Sequence, residues 1–309
     1  MTQFADFLAQ RVLLRRTPVM VGLDPRADQL PACVLGPQTR PDSATVASAY
    51  REFCRGVIDV VAPLVAVVKP QVAFFEQLGP AGMAVLSEVI HYAQARELIV
   101  VVDGKRNDIG STAAAYAEGW LGRGQSPWGA DALTVSPYLG DDSLQPFIDV
   151  ARAREAGVFV LVKTSNPGGP LLQDLQADGQ TVYARVARVV REQSEQSRGR
   201  SGYGLVGAVV GATYPEQLAE LRGALPGSWL LVPGYGSQGG SARDVAAAFD
   251  DQGLGAIINN SRGIIFAHTR PEYRDRYGDG QWQSAVEAAT REMMEELRGE
   301  TPAGRLART

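Results

Sequence analysis

One ten-residue stretch, from Val100 to Ile109, carries the side chains best suited to chemistry. Its apolar, β-branched beginning predicts a buried strand, and its end places Asp103, Lys105 and Asp108 where that strand leads into the next helix. Asp103 and Lys105 are two residues apart, so on an extended backbone they project to the same side. Two carboxylates around one ammonium indicate either a site that holds charge ready for a reaction or a salt bridge at a strand end.

The composition excludes several classes of protein. A net charge of −4 over 309 residues gives no general affinity for nucleic acid or an anionic membrane, so a phosphate ligand needs a local site. The only two cysteines, Cys33 and Cys54, form neither a disulfide framework nor a zinc pattern. The first 16 residues have helical apolar spacing and no secretory apolar region. We therefore expect a cytoplasmic protein without nucleic-acid or membrane partners.

Alternating apolar and amphipathic segments predict the fold class, which is α/β. Eight apolar runs predict strands at Val19–Leu23, Leu64–Val68, Leu98–Val102, Ala132–Val135, Val158–Val162, Leu205–Val210, Leu230–Val232 and Ala256–Ile258. Helix-like segments lie between them, which predicts parallel βαβ units. Eight units fit a closed (β/α)8 TIM barrel, with the N-terminal helix capping the barrel floor. The alternative, an open doubly wound sheet, would require a glycine-rich first turn that the sequence lacks.

No linker divides the chain, so residues 1–309 are predicted to form a single barrel domain. Residues 300–309 are expected to be a frayed tail. The longest irregular stretch, residues 24–41, is rich in proline and is expected to lie over the barrel mouth.

Charged and glycine-rich residues collect at the predicted strand ends, which form the active face of a barrel. The glycine-rich residues 234–240 and Arg262 follow the last two strands, where backbone N–H groups, a helix start and a guanidinium can bind phosphate. Alternatively, these glycines only form turns and Arg262 is a surface cation. His91 and His268 lie at no strand end, so lysine and aspartate must transfer protons. A metal site is weakly supported, because lysines already neutralise the carboxylates.

Taken together, these residues resemble the orotidine 5′-phosphate decarboxylase family. The resemblance rests on four segments: Lys69, Asp103-x-Lys105-x-x-Asp108-Ile109, Pro233-Gly234-x-Gly236-x-Gln238-Gly239-Gly240 and Ser261-Arg262-Gly263-Ile264. It covers roughly residues 15–275 and is closest to the longer, bacterial subgroup. It implies decarboxylation of orotidine 5′-monophosphate to uridine 5′-monophosphate in pyrimidine synthesis, without a metal or organic cofactor.

The resemblance also implies residue roles. Lys69, Asp103, Lys105 and Asp108 would form a charged array in which Lys105 protonates C6. The nucleotide-binding residues would be Asp24, Ile109, Thr112, Ser165, Gln238, Gly239, Gly240 and Arg262. Among these, Asp24 and Thr112 would contact ribose, Ser165 the pyrimidine, and Gln238 and Arg262 the phosphate.

A homodimer with shared active sites is implied too. In the family, the residues that match Asp108, Ile109 and Thr112 reach the neighbouring subunit's site.

Three rival functions stay open at this point. Lys163-Thr164-Ser165 resembles the lysine segment of a Schiff-base aldolase that acts on a sugar phosphate, although no cationic neighbour in sequence would lower the pKa of Lys163. A Mg²⁺-dependent barrel enzyme acting on sugar phosphates is the second, and a catalytically inactive phosphate-binding barrel is the third.

Overall fold

The computed structural model describes residues 3–36, 41–236 and 239–307. Eight parallel strands close into a barrel in which each strand lies between its predecessor and its successor in the sequence. They are β1 Val19–Leu23, β2 Val67–Pro70, β3 Ile99–Arg106, β4 Ala132–Val135, β5 Gly157–Lys163, β6 Val206–Val210, β7 Leu230–Val232 and β8 Ala256–Asn260. Because β1 pairs with both β2 and β8, the sheet has no edge. The barrel prediction is confirmed and the open sheet is excluded.

Eight longer helices accompany the strands. They are α1 Phe4–Arg15, α2 Ser43–Val61, α3 Gly79–Ala95, α4 Gly110–Trp120, α5 Gln145–Ala153, α6 Val182–Glu195, α7 Pro215–Ala224 and α8 Trp282–Glu300. Shorter helices and 3₁₀ turns lie at Ala27–Gln29, Ala32–Leu35, Val72–Glu76, Pro170–Gln173, Ala242–Val245, Ala246–Ala248, Arg262–Ile265, Ala267–Thr269, Pro271–Tyr277, Asp279–Gln281 and Pro302–Ala307. A two-residue hairpin joins Gln176–Ala177 to Gln180–Thr181.

Helix α1 closes the amino-terminal end of the barrel, as predicted. Its apolar face is buried, and the Phe4 ring meets the Phe159 ring edge-on at a centroid distance of 6.1 Å. A Cβ at Gly157, the first residue of β5, would lie 2.3 Å from the Phe4 ring. The missing side chain therefore lets this helix approach the strand ends closely.

The carboxyl-terminal residues are ordered, which corrects the prediction of a frayed tail. Pro302–Ala307 forms a 3₁₀ helix after α8, and Leu306 is fully buried. Apolar burial fixes this segment in the barrel's outer layer, and Leu306 was the signal in an otherwise polar stretch. Residues 308–309 lie outside the described residues.

Two strands have register irregularities at their carboxyl ends. The pairing of β3 with β4 shifts between Val102 and Arg106, and that of β5 with β6 shifts between Leu161 and Lys163. A bulge inserts a residue on one strand and re-aims the side chains beyond it. Both bulges lie beside a lysine, so simple alternation along the strand cannot predict where these two side chains point.

Candidate active site

A cavity of about 430 Å³ opens at the carboxyl ends of the strands. All eight strands or the loops directly after them contribute to its wall. The lining residues are Asp24, Lys69, Gln71, Asp103, Lys105, Thr134, Leu161, Thr164, Ser165, Asn166, Val209, Leu231, Pro233, Gly234, Tyr235, Asn259, Ser261 and Arg262. This is the face at which barrel enzymes hold their active sites.

Asp103 is the centre of the polar network in this cavity. Its Oδ2 accepts hydrogen bonds from Lys69 Nζ at 2.8 Å and Gln71 Nε2 at 2.9 Å. Its Oδ1 accepts from Lys105 Nζ at 2.5 Å and Thr134 Oγ1 at 3.0 Å. Four donors from three strand ends therefore hold one carboxylate in a fixed orientation between two ammonium groups.

The environment keeps the buried members of this array charged. Burial acts to raise the pKa of Asp103, but attraction to Lys69 and Lys105 is stronger and holds that pKa well below its ordinary range. Burial likewise acts to lower the pKa of Lys69, while Asp103 and Asp24 raise it above its ordinary value. At neutral pH the two buried groups therefore form an ion pair.

The β3 bulge determines where Lys105 points. Lys105 has a φ of +46°, in the left-handed region that non-glycine residues rarely adopt, and its N–H donates to Thr134 Oγ1 at 3.0 Å. This conformation costs roughly 1–2 kcal/mol. Such strain is characteristic of functional sites. Lys69 is buried whereas the Lys105 side chain is 47% exposed, so Lys105 can exchange protons with solvent.

Two polar atoms in the cavity wall lack protein partners. Asp24 Oδ1 and Asn259 Oδ1 are buried, and neither accepts a hydrogen bond from any described residue. Buried acceptors are nearly always satisfied in folded proteins. Both can therefore accept hydrogen bonds from ligand hydroxyl or N–H groups, which fits the sugar-contact role predicted for Asp24.

The phosphate end of the predicted site is only partly as expected. Arg262 and Ser261 line the cavity beside Pro233 and Gly234. Gly239 and Gly240 do not line it, because their N–H groups donate to Gly236 O and Gly234 O within the loop. Gln238 lies outside the described residues.

The helix that follows the glycine-rich loop is short and is already capped by side chains of its own first turn. Ala242–Val245 has only four residues, and Ser241 and Asp244 already cap its N-terminus reciprocally.

Asp108, Ile109 and Thr112 do not line the cavity of their own chain. Asp108 Oδ1 accepts the Ile109 N–H at 2.8 Å, and Ile109 is 59% exposed. The cluster read from the sequence thus divides: Asp103 and Lys105 face the cavity, and Asp108 lies beyond it. Two carboxylates do not share Lys105 within one chain.

The segment after β1 also differs from expectation. Ala32 N donates to Asp279 Oδ2 at 2.9 Å, and the Arg26 guanidinium lies 5.1 Å from the centre of the Phe74 ring. Apart from Asp24, none of its described residues lines the cavity, although the segment was expected to lie over the barrel mouth. Residues 37–40 lie outside the described residues.

Sequence reasoning gave no role to several polar wall residues, among them Gln71, Thr134 and Asn259. Gln71 and Thr134 hold Asp103, and Asn259 presents an unpaired oxygen. The available signal was a polar residue at the end of, or inside, an apolar strand: Thr134 lies within the otherwise apolar β4.

The rival chemistries find little support in this geometry. The Lys163 side chain is fully buried, is paired with Asp174 and does not line the cavity. His91 and His268 are absent from the wall, as predicted. Across residues 3–36, 41–236 and 239–307, no group of three His, Cys, Asp or Glu side chains could hold a metal ion. Within the same ranges no helix is long and apolar enough to span a membrane.

A closed barrel with a charged cavity at its strand ends defines a (β/α)8-barrel enzyme. A family model described as orotidine 5′-phosphate decarboxylase / HUMPS matches residues 17–275. The chain belongs to this family.

Curated relatives and solved structures agree with that assignment. An orotidine 5′-phosphate decarboxylase of Rhodopirellula baltica is 57% identical over 97% of this chain and 100% of the relative. One from Deinococcus radiodurans is 46% identical over 85% of this chain and 89% of the relative. The structure of Leishmania donovani OMP decarboxylase is 36% identical with a TM-score of 0.72, covering 97% of this chain and 98% of that one.

Proposed function

We propose that this chain decarboxylates orotidine 5′-monophosphate and that Lys105 supplies the proton that replaces the carboxyl group. The chain is a carboxy-lyase of pyrimidine biosynthesis, as its family and its relatives indicate. The observation that supports the proposed mechanism is the position of Lys105, whose ammonium lies 2.5 Å from Asp103 at the cavity wall.

The proposed reaction breaks one bond and forms one. The bond between C6 and the carboxyl carbon breaks, carbon dioxide leaves, and the electron pair remains on C6. An N–H proton of Lys105 then bonds to C6, and the exposed amine regains a proton from solvent. The carbanion is not delocalised over the ring, so the barrier reduction must approach the upper end of the ~8–23 kcal/mol that enzymes achieve. An ammonium fixed beside C6 stabilises the carbanion as it forms.

Charge matching supports this substrate class. Two aspartates, Asp24 and Asp103, face three cations, Lys69, Lys105 and Arg262, so the wall carries a net positive charge. The substrate brings a carboxylate and a phosphate. We propose that Arg262 binds the phosphate, that Ser165 contacts the pyrimidine, and that Asp24 contacts the ribose. Gln238, Gly239 and Gly240 would join the phosphate site through a rearrangement of their loop.

The direct test is turnover by purified protein. Mixed with orotidine 5′-monophosphate in the presence of a metal chelator, the protein should release carbon dioxide and uridine 5′-monophosphate. The reaction is followed as a fall in ultraviolet absorbance at a wavelength where the substrate absorbs more than the product. Activity that appears only after Mg²⁺ is added would favour the Mg²⁺-dependent rival. Absence of turnover under both conditions would contradict the proposal.

Replacing Arg262 should weaken phosphate binding specifically. In Arg262→Ala the affinity for uridine 5′-monophosphate should fall by about 10- to 100-fold, the effect of losing charge-assisted hydrogen bonds. The affinity for uridine, which lacks the phosphate, should stay unchanged. Titration calorimetry with both ligands gives the comparison. Arg291→Ala is the control, since Arg291 is an exposed arginine of α8 that does not line this cavity. Equal losses for both ligands would remove Arg262 from the phosphate role.

We also propose a homodimer in which Asp108, Ile109 and Thr112 complete the partner's site. All three lie outside the cavity of their own chain. Large apolar side chains are exposed at the start of α4, within it and in the loop after β4: Ile109 at 59%, Tyr116 at 38%, Tyr138 at 73% and Leu139 at 44%. Exposed apolar groups of this kind are typical of protein interfaces.

Mixing two inactive variants tests the shared sites. In a dimer of Lys105→Ala with Asp108→Asn, one site carries both defects and the other carries neither. After dissociation and random reassociation, activity should recover to about one quarter of wild type, because half the dimers are mixed and half their sites are intact. Each variant dissociated and reassociated alone is the control. If Asp108 served its own chain, the mixture would show no recovery.

Two further expectations remain proposals. We propose that the chain is a single domain, because one buried cluster includes residues from Phe4 to Leu306. We also propose a cytoplasmic location, which is supported by two free cysteines, one exposed and one buried.

A further inference from the structure

Lys163 is the one lysine that the proposed mechanism does not use. The sequence has only three lysines, Lys69, Lys105 and Lys163, against 27 arginines, and each lies at the carboxyl end of a barrel strand. The first two face the cavity. The side chain of Lys163 is completely buried on the other side of β5, because the bulge after Leu161 reverses the direction of the strand's side chains.

The surroundings of Lys163 are built for a cation. Its Nζ is paired with Asp174 and lies 4.7 Å from the centre of the Tyr214 ring and 5.4 Å from that of Tyr183. Ring faces attract a cation, and this attraction is strongest where the cation is desolvated. A buried ammonium also needs its carboxylate, because leaving it unpaired is costly. The ion pair with Lys163 therefore holds Asp174 against the barrel wall.

Asp174 lies at the far end of a loop that begins in the active site. The loop starts at Thr164, Ser165 and Asn166, which line the cavity. Its far end folds back onto its start: Gln173 Oε1 accepts the Thr164 N–H at 3.0 Å, and Gln173 Nε2 donates to Thr164 Oγ1 at 2.7 Å. The ion pair and these two hydrogen bonds together close the loop over residues 163–174.

Apolar burial contributes little to holding this loop. Leu171 is 83% exposed, Leu172 43% and Leu175 54%. Hydrophobic stabilisation scales with the apolar area removed from water, so these leucines anchor the loop weakly. Its position is held by the polar contacts at its two ends and by a hydrogen bond from Thr213 Oγ1 to Ser165 O at 3.3 Å.

We propose that Lys163 is a positioning residue for the decarboxylation. Through Asp174 it holds the loop over residues 163–174, and the loop in turn sets Thr164, Ser165 and Asn166 against the pyrimidine end of the substrate. The inference rests on the proposed function, because it assigns these three residues to the base rather than to the phosphate. The ion pair between Lys163 and Asp174 therefore affects the position of the pyrimidine, which is the part of the substrate that reacts.

The test uses Lys163→Met, Asp174→Asn and the double variant. Met fills much of the lysine volume without the charge, and the double variant leaves no buried cation without its carboxylate, so the double variant controls for instability in Asp174→Asn. We expect kcat/KM for orotidine 5′-monophosphate to fall by about 10- to 100-fold in each single variant, as small misplacements of a substrate do. The double variant should lose no more than Lys163→Met, because one interaction is removed in both.

Ligand binding separates positioning from general damage. Affinity for uridine 5′-monophosphate should fall in the variants, while affinity for ribose 5-phosphate, which has no base, should stay at the wild-type value. Lys163→Arg, which keeps a cation for Asp174, should recover part of the lost kcat/KM. Equal losses for both ligands would make the role of Lys163 merely structural, and wild-type kcat/KM in Asp174→Asn would overturn the proposal.

The same experiments distinguish failure of this inference from failure of the proposed function. Turnover of orotidine 5′-monophosphate by the wild-type protein tests the function and does not depend on Lys163. A covalent lysine adduct at Lys163, trapped by borohydride with an aldehyde substrate, would contradict both.

Discussion

Lys105→Ala should lower kcat by at least about 10⁴-fold, the upper range for a general acid, because the variant loses the group that we propose as both the proton donor and the cation beside C6. Its affinity for uridine 5′-monophosphate should persist, since Arg262 and the rest of the wall remain. The fold should also persist: Lys105 is half exposed, and Asp103 keeps its ion pair with Lys69. Single-turnover measurements of carbon dioxide release, with ligand titrations in parallel, check both expectations.

Lys105→Arg separates the two roles of this residue. A guanidinium retains the positive charge but gives up its proton far less readily than an ammonium. If proton donation dominates, Lys105→Arg should be nearly as inactive as Lys105→Ala. Substantial activity in either variant would contradict the assignment of Lys105 as the proton donor.

Asp103→Asn should be both inactive and unstable. It leaves the buried Lys69 ammonium without its main counter-charge, which typically costs about 3–5 kcal/mol of unfolding free energy. It also releases Lys105 from its position at the cavity wall. Asp131→Asn is a matched control, since Asp131 is a buried carboxylate paired with Arg123 that does not line the cavity. The control should lose stability but keep its activity per folded molecule.

The direction in which the free energy of unfolding changes with pH identifies the ionisable group responsible. In the wild type the pKa of Lys69 is above its ordinary 10.5, so its stabilisation is present below that pH and is lost as pH rises through the raised value. The low pKa of Asp103 gives stability that is present above its ordinary 3.8 and is lost as pH falls through the depressed value.

Asp103→Asn should reverse the behaviour of Lys69. Burial would then lower the lysine pKa with less opposition, so the folded variant sheds its proton first and gains stability as pH rises from neutral toward about 10. Denaturant unfolding of the variant and the wild type across this range gives the difference. A parallel decline in both proteins would exclude Lys69 as the source of the instability.

Periodicity predicted the barrel because strands and helices of this chain are strongly patterned. All eight apolar runs became strands. Strand boundaries differ from the predicted ones where burial does not determine them: β2 begins three residues later than its apolar run. The prediction of a frayed tail was wrong because Leu306 is buried although the rest of the segment is polar. Whether that leucine is buried depends on the neighbouring helix, which the composition of the segment does not show.

The candidate site was predictable as a set of strand ends, but its internal geometry was not. Lys69, Asp103 and Lys105 meet as expected, because parallel strands in a barrel end at one rim. The direction of Lys163 and the bonding within Gly234–Gly240 depend on a bulge and on a tight turn with positive φ at Gly234, Gly236 and Gly239. Those are local backbone choices that side-chain spacing does not encode.

The four hydrogen bonds that hold Asp103 have a consequence for the thermodynamics of the reaction. They form when the chain folds, so much of the entropy of ordering these groups is lost once per molecule rather than once per turnover. Little rearrangement of the array is then needed as charge moves to C6. The catalysed step should therefore have an activation entropy near zero, with a barrier that is almost entirely enthalpic.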